Sequence, residues 1–508
     1  MTYDGVSHHD GKAWSSEKKA TIGAGEDLLQ GIAVDAAGKV WVASTHKVHL
    51  RDGGAWQTID LGKAGRGTLY FDDLELGPDG SVYALHSTAL LRIGPQVGST
   101  DSTGSTPTTG PDLSPECDVM LHGESDDADA VQAALTGAGE GATICFTGEF
   151  MAPGAGFSVA STRGLTLRGV PLAGSEGIGA GALFDFAAEG SAPGLLLTDA
   201  EDLTIEGLTL RSSGGDGLTI FGGARVKLRD LRVSWAAGAS EDNGAFGMHV
   251  RDVVDLQIAD SEVSDAADAG IYAAGSRNVV FKSNLAHGNV AGLEAENCEN
   301  VEISDNEASD NTVGIFVLDL PMQAAGNGGG VLVQGNRILD NNHANFAPAG
   351  KISASVPVGI GALVLAVDEV ELQGNLIENN DSTGVLVVSF TTLSLVSGMS
   401  YNDPNFDPDP ETVEIDDNQL LANGDAPDDL FVSLFQQPMM PDITWDGAFD
   451  SLKKDKDNAD GALSLCIRGN GDADFLNLDA ANFGANKSTD LAPHDCDHPA
   501  RPAVDNGL

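Results

Sequence analysis

Gly270-Ile-Tyr-Ala-Ala-Gly-Ser-Arg-Asn-Val-Val-Phe-Lys-Ser-Asn284 is answered 22 residues later by Gly292-Leu-Glu-Ala-Glu-Asn-Cys-Glu-Asn-Val-Glu-Ile-Ser-Asp-Asn306. In each copy a glycine opens a short run that alternates apolar with other residues. A second run follows and leads to an asparagine. A strand points successive side chains to opposite faces, so rungs of this kind stack one apolar column inside. The second run recurs as Leu203-Thr-Ile205, Val226-Lys-Leu228, Leu256-Gln-Ile258, Val279-Val-Phe281, Val301-Glu-Ile303, Val331-Leu-Val333, Val370-Glu-Leu372 and Val413-Glu-Ile415. Its starts lie 23, 30, 23, 22, 30, 39 and 43 residues apart. The shortest interval is one coil, and the longer ones are a coil plus an inserted loop. Asn284, Asn306, Asn336, Asn375 and Asn418 fall at the corner, where asparagine tolerates a left-handed backbone and can ladder its amide with the rung above. A leucine-rich repeat has a similar length but requires a leucine frame that is absent. The expected fold is all-β: a right-handed, single-stranded parallel β-helix over 116–450, with a small β-propeller-like fragment before it.

The glycine-led run recurs as Gly217-Leu-Thr-Ile220, Gly247-Met-His-Val250, Gly270-Ile-Tyr-Ala273, Gly292-Leu-Glu-Ala295, Gly314-Ile-Phe-Val317, Gly361-Ala-Leu-Val364 and Gly384-Val-Leu-Val387. Alignment turns Leu218, Met248, Ile271, Leu293 and Ile315 inward. Thr219, His249, Tyr272, Glu294 and Phe316 then form an outward column.

Residues 1–95 repeat with a period of 42: Asp10-Gly11-Lys12-Ala13-Trp14 returns as Asp52-Gly53-Gly54-Ala55-Trp56. That period resembles propeller blades of bacterial sensory proteins. About two blades are too few to close a propeller, so an incomplete start is the expectation, with a blade pair capping the solenoid as the alternative. Residues 96–115 are a Ser/Thr/Gly/Pro linker. Asp126 to Leu135 reads as a short helix capping the open edge of the first coil, and 451–508 as a C-terminal cap or tail.

With 76 acidic against 27 basic residues the formal charge is −49. Phosphate backbones and anionic lipids repel such a chain, so nucleic acid is excluded as a partner. Solubility is the plain meaning of the charge; capture of Ca²⁺ or a cationic ligand is the other. No apolar run reaches the roughly 18 residues of a membrane span, and no signal peptide stands at Met1. Cysteines fall as an early pair, Cys117 and Cys145, a late pair, Cys466 and Cys496, and the isolated Cys298. Two disulfides clipping the ends, with Cys298 free, are expected. They place the chain in an oxidising extracellular, periplasmic or outer-surface setting.

Asn243-Gly-Ala-Phe-Gly247, Asp268-Ala-Gly-Ile-Tyr272, Asn289-Val-Ala-Gly292 with Glu296-Asn297, Asp319-Leu-Pro321 and Asn341-Asn-His-Ala-Asn-Phe-Ala-Pro348 resemble bacterial parallel β-helix repeat proteins of the pectate-lyase-like superfamily. The resemblance covers about residues 125–500. It implies export and action on a polysaccharide or cell-surface glycan by lyase, epimerase or hydrolase chemistry. His249 stands where that family leads one to expect an aromatic.

Adjacent rungs lie about 4.8 Å apart, which brings His249, Tyr272 and Glu294 into hydrogen-bonding range, with Glu296 two residues beyond Glu294. Such a trio can abstract a sugar C5 proton and protonate a leaving oxygen; an ordinary solvated strand face is the alternative. A uronate carboxylate must also be neutralised, for which Asn243, Arg251 and Arg277 are nearest. Phe316 suits stacking on a sugar ring. Insertions at 236–246, 321–330, 338–360 and 389–412 are candidate binding loops. Asp319, Asn341, Asn342, His343 and Asn345 stand at two of them as binders of polar rings, or, for the asparagines, as turn residues. Hydrolysis needs two carboxylates about 5–9.5 Å apart, available from Glu294 with Glu296 or Asp268, but the paired-aspartate motif of β-helix polygalacturonases is not evident. No metal site is assigned. Asp403-Pro-Asn-Phe-Asp407-Pro-Asp409 is rich enough in oxygen for Ca²⁺, though an acidic turn is the plainer reading. A disulfide at Cys496 explains His494, Cys496 and His498 better than zinc. The expected function is lyase or C5-epimerase action on an acidic polysaccharide; a non-catalytic glycan-binding, adhesion or scaffold module is the alternative.

Overall fold

The computed structural model describes residues 117–508, apart from 124–127, 153, 155, 173–174, 188–189, 399–401, 436 and 451–464, and before them the elements named next. The chain forms two compact units, Met1–Leu121 and His122–Leu508. The expected linker 96–115 lies outside the described residues.

The first unit is antiparallel. Gly5–His9 pairs with Trp14–Lys18; Leu29–Val34, Val40–Ser44, Lys47–Asp52 and Ala55–Ile59 form a four-stranded sheet; Phe71–Leu76, Val82–His86 and Ala89–Ile93 form a three-stranded one. The period of 42 survives in the pairing. Register slips between Leu29 and Gly31 in one sheet and at the equivalent Phe71 and Asp73 in the other. The turns at Asp10-Gly11 and Gly53-Gly54 lie outside the described residues.

The second unit is a parallel β-helix with the right hand that parallel crossovers take. Each coil contributes one strand to each of three faces. Ala269–Ala274, Arg277–Lys282 and Leu285–His287 make one coil, Ala291–Glu296, Glu299–Ser304 and Glu307–Ser309 the next, and Val313–Leu318, Gly329–Gln334 and Arg337–Leu339 the third. Earlier, Leu218–Arg229 and Phe246–Ala259 run through the first face and on into the second. The register stacks Leu218, Met248, Ile271, Leu293 and Ile315, all buried inside as their alternation requires.

Two asparagine ladders bind the coils along their corners. Between the second and third faces the amide of each of Asn284, Asn306, Asn336, Asn375 and Asn418 donates to the next asparagine's Oδ1 at 2.9–3.0 Å, ending on Asn470. Between the third face and the first, Asn289, Asn311, Asn341, Asn380 and Asn423 repeat the device at 2.9–3.1 Å. The expected left-handed backbone belongs not to these asparagines but to the residue before each one of the first ladder: Ser283, Asp305, Gly335, Gly374 and Asp417. The kink is made there, which leaves the asparagine amide free to bridge rungs.

Insertions obey the same geometry. From Leu203 to Leu421 the second and third faces are joined by only one or two residues, whereas the long loops leave the two corners that flank the first face. These loops and the helices Phe390–Ser397 and Asp429–Phe435 roof that face. Phe390, Phe406 and Phe431 pack with Phe316, Leu318, Leu363, Leu365 and Leu386 into one buried apolar cluster.

The ends are closed by different means. The helix Ala128–Gly137 buries Val131 and Leu135. Its Gln132 side chain donates to the Ser158 carbonyl at 2.8 Å and accepts from the Ser158 N–H at 3.0 Å, so it occupies the edge strand as a further strand would. Asp126 and Asp127 lie outside the described residues. Beyond residue 450 the stack continues, with Cys466–Arg468 on Val413–Asp416 and Phe475–Asn477 on Ile443–Trp445. The following segment then runs back along the second face. The backbone of His498, Arg501 and Val504 donates to Glu414, Glu371 and Glu302, and the Asn506 amide reaches the Leu256 carbonyl. Cys466 and Cys496 are bonded to each other, Cys117 and Cys145 are both disulfide-bonded, and Cys298 is free and buried. Burial pushes the Cys298 thiol up to about 12, so it is inert packing. Among the described residues no helix is long and apolar enough to cross a membrane.

Candidate active site

The first face presents ionisable groups in two neighbouring columns. Pairing sets His249, Tyr272, Glu294 and Phe316 in register, and beside them Arg251, Ala274, Glu296 and Leu318. The column is not the open strand face that the sequence suggests. Tyr272 is 4% exposed and Glu294 6%, because the roof and Phe246 cover them. The Phe246 ring stacks on Tyr272 at 4.3 Å and lies 4.4 Å from the His249 ring.

Two hydrogen-bonded pairs organise the site. The Asp216 carboxylate accepts from His249 Nδ1 at 2.8 Å. Asp216 is itself held by the Phe246 N–H at 3.1 Å. With Nδ1 donating, a neutral imidazole carries its lone pair on Nε2, and that atom is buried without a hydrogen-bond partner. The Tyr272 hydroxyl donates to Glu296 Oε2 at 2.8 Å. Burial and then the charges of Glu296 and Glu294 hold the phenol well above its ordinary range, so it stays protonated.

The carboxyls are crowded. The Glu294 carboxyl receives no hydrogen bond or ion pair among the described residues; burial, then the charges of Asp268 and Glu296, raise it well above the usual carboxylate range. Asp268 is pushed up to about 6, first by burial, with Glu296 and Asp216 adding to it and Lys351 opposing. Glu296 is raised by burial against the pull of the Tyr272 hydroxyl, Arg251 and His249. The site therefore offers a protonated Glu294, the unpartnered Nε2 of His249 and one guanidinium. Arg251 also reaches Gln323 Oε1 at 3.3 Å.

Exposure rises at the lower rungs. Phe221, opposite Arg251 in register, is 39% exposed and meets the His249 ring edge-on at 5.2 Å. It is a ready platform for an apolar sugar face. Sequence reasoning passed over Phe221 and Asp216. A signal for Asp216 was available: among the residues immediately before the strand-opening glycines it is the one that carries charge.

Other expected binders fall elsewhere. Asn341 is fully buried in the second ladder, donating to Asn380 and the Ala308 carbonyl, and has no face for a ligand. Asn243 spends its amide on the Gly238 and Asp265 carbonyls, and Asn345 on those of Ser353 and Val356, so both fasten their own loops. Asn342 likewise donates to the Asn379 carbonyl. His343 sits beside Asp310 at 3.5 Å and against Phe346, off the first face. Arg277 pairs with Glu299 on the second face. Phe316 stays in the column but lines an apolar cavity of about 100 Å³ beneath the roof, with Leu363, Leu386 and Phe431. Asp319 is buried at the exit of the next rung, its carboxyl pushed up to about 7 by burial.

A family model described as a right handed beta helix region matches residues 193–323. Among solved structures the chain is similar to the Azotobacter vinelandii mannuronan C-5 epimerase AlgE4 A-module, at 19% identity over 69% of this chain and 87% of that one, TM-score 0.47. It is similar to the polygalacturonase from Erwinia carotovora ssp. carotovora at 12% identity, over 64% and 96%, TM-score 0.40. A third likeness is to the alginate lyase from Paenibacillus sp. str. FPU-7, at 14% identity over 69% and 94%, TM-score 0.37. No curated protein matches the chain.

Proposed function

We propose that the chain acts on an acidic polysaccharide by removing the C5 proton of a uronate, the step shared by a lyase and a C5-epimerase. One observation carries the reading: His249 Nε2 is buried and unpartnered, with its Nδ1 held by Asp216, beside a Glu294 carboxyl that burial raises well above the usual carboxylate range. A scaffold gains nothing from such a group, because burying polar atoms without partners costs stability.

In the proposed reaction a sugar ring rests on Phe221 and His249 Nε2 takes the C5 proton. The electron pair left behind spreads onto the uronate carboxylate, where Arg251 and the neutral Glu294 acid stabilise it. The Tyr272 hydroxyl then protonates the departing C4 oxygen, giving a lyase, or C5 from the opposite side, giving an epimerase. The disulfides fit an oxidising extracellular or periplasmic setting for this work.

Incubation with uronate polymers in D₂O tests it. Deuterium at C5 reads epimerisation and ultraviolet absorbance of the unsaturated end reads elimination. Neither signal with any uronate polymer would sink the proposal. The roof, which leaves Tyr272 so little exposed, favours a second reading, a non-catalytic glycan-binding spacer. Saturable glycan binding without exchange or product would select it.

A further inference from the structure

We propose that the uronate this site takes stands between neutral sugars, so that the substrate is a heteropolysaccharide with spaced carboxylates and not a homopolymer of uronates. The inference rests on the C5 reading above and names its substrate class. Phe316 and its outward neighbours on later rungs, Leu363 and Leu386, are buried beneath the roof. The rest of a bound polymer is left the rungs that precede His249: Phe157–Ala160, 195–198 and 218–221. At about 4.8 Å per rung they offer a run of about 14 Å.

The strands of that run are uncharged. Register sets Ser158, Leu196 and Thr219 in the column of His249, and Ala160, Thr198 and Phe221 in that of Arg251. Ser158 and Ala160 are exposed, Leu196 and Thr198 half-buried, and Phe221 is the exposed ring already described. Apolar surface with hydroxyls suits the C–H face and hydroxyl edge of a neutral sugar. Among the described residues Arg251 is the one lysine or arginine on the first face. A second carboxylate on this run would therefore meet no cation from it.

The borders of the run are negative. Asp199 follows Thr198 and Asp252 follows Arg251, both exposed at the corner toward the second face. Glu241 and Asp242 are exposed in the insertion at the opposite corner. Arginines near the first corner are already committed: Arg163 pairs with Glu201, and Arg225 with Asp202 and Glu201. The formal charge of −49 repels a dense polyanion over longer range. One uronate is accepted because Arg251 and a neutral acid receive it. A second, one sugar away, meets like charge, and like charge rejects a partner more sharply than attraction selects one.

The test gives the full chain alginate, polygalacturonate and polyglucuronate, each intact and with most of its carboxyls reduced to alcohols. Reduction leaves spaced uronates among neutral sugars of the same backbone. For the polymer that supports C5 exchange or elimination, kcat/KM per remaining uronate should be higher in the reduced form at low salt. A rise of about fivefold or more is expected, the worth of one close like charge in water. The ratio should fall toward one in about 1 M NaCl, where charges are screened beyond about 3 Å. Asp199→Asn should also narrow it at low salt; asparagine tolerates the left-handed backbone at that position, φ 51°. Intact polymer turned over as well as reduced polymer, or a ratio that neither salt nor Asp199→Asn changes, would overturn the inference and leave the C5 reading standing. Exchange and elimination with none of the preparations would overturn both.

Discussion

Glu294 carries a proton because nothing around it stabilises the charge: it is buried, and its electrostatic neighbours Asp268 and Glu296 are also acids. Replacing it by glutamine keeps the shape and removes the titration. Glu294→Gln should therefore melt no lower than the parent chain, while C5 exchange falls about 10²- to 10⁴-fold, the usual worth of a positioned acid or base. A parallel loss of stability and exchange would make Glu294 a packing residue instead. Asp216→Asn should also abolish most exchange with little change in melting, because an amide no longer holds His249 with its proton on Nδ1. His343→Ala, off the first face, should alter stability by less than about 0.5 kcal/mol and leave exchange untouched.

At the scale of the element, the ladders decide how firmly a coil is held. Asn306 donates to Asn336 and the Phe281 carbonyl and accepts from the backbone and side chain of Asn284. Asn306→Ala leaves several buried groups unpaired, and denaturant unfolding should show a loss of about 3 kcal/mol or more. The first ladder was legible in the sequence because its spacing follows the strand spacing. The second was not: Asn289, Asn311 and Asn341 sit next to loops, where asparagine is equally common for turn reasons, and Asn341 looked like a binder. The inward and outward columns were legible from alternation alone. The roof was hidden, since no local pattern in 338–360 or 389–412 tells which face a loop will cover. Asp216 and Phe221 were missed because their role depends on a neighbour one rung away.

The whole molecule should lose stability as pH rises through the mildly acidic range. The sign follows from Asp268, at about 6 against an ordinary 3.8, and from Glu294, also raised by burial. A raised carboxyl favours the folded state below its unfolded pKa, and that advantage disappears as pH climbs through the folded value. Thermal melts from pH 4 to 7 should fall steadily, and Glu294→Gln should flatten the fall; melts that rise over that window would contradict the assignment. Reducing Cys466–Cys496, which closes a separation of 30 residues, should cost about 3–4 kcal/mol, read as a lower denaturant midpoint.

Because the long loops leave only the two corners beside the first face, the solenoid has a fixed spine and an interchangeable front. Changing the length of a front loop alters neither the rise nor the register of the rungs behind it. A transplanted loop at 389–412 could therefore give this architecture a different ligand without a new folding problem, whereas a single residue added at the Asn306 corner would put every later rung out of step.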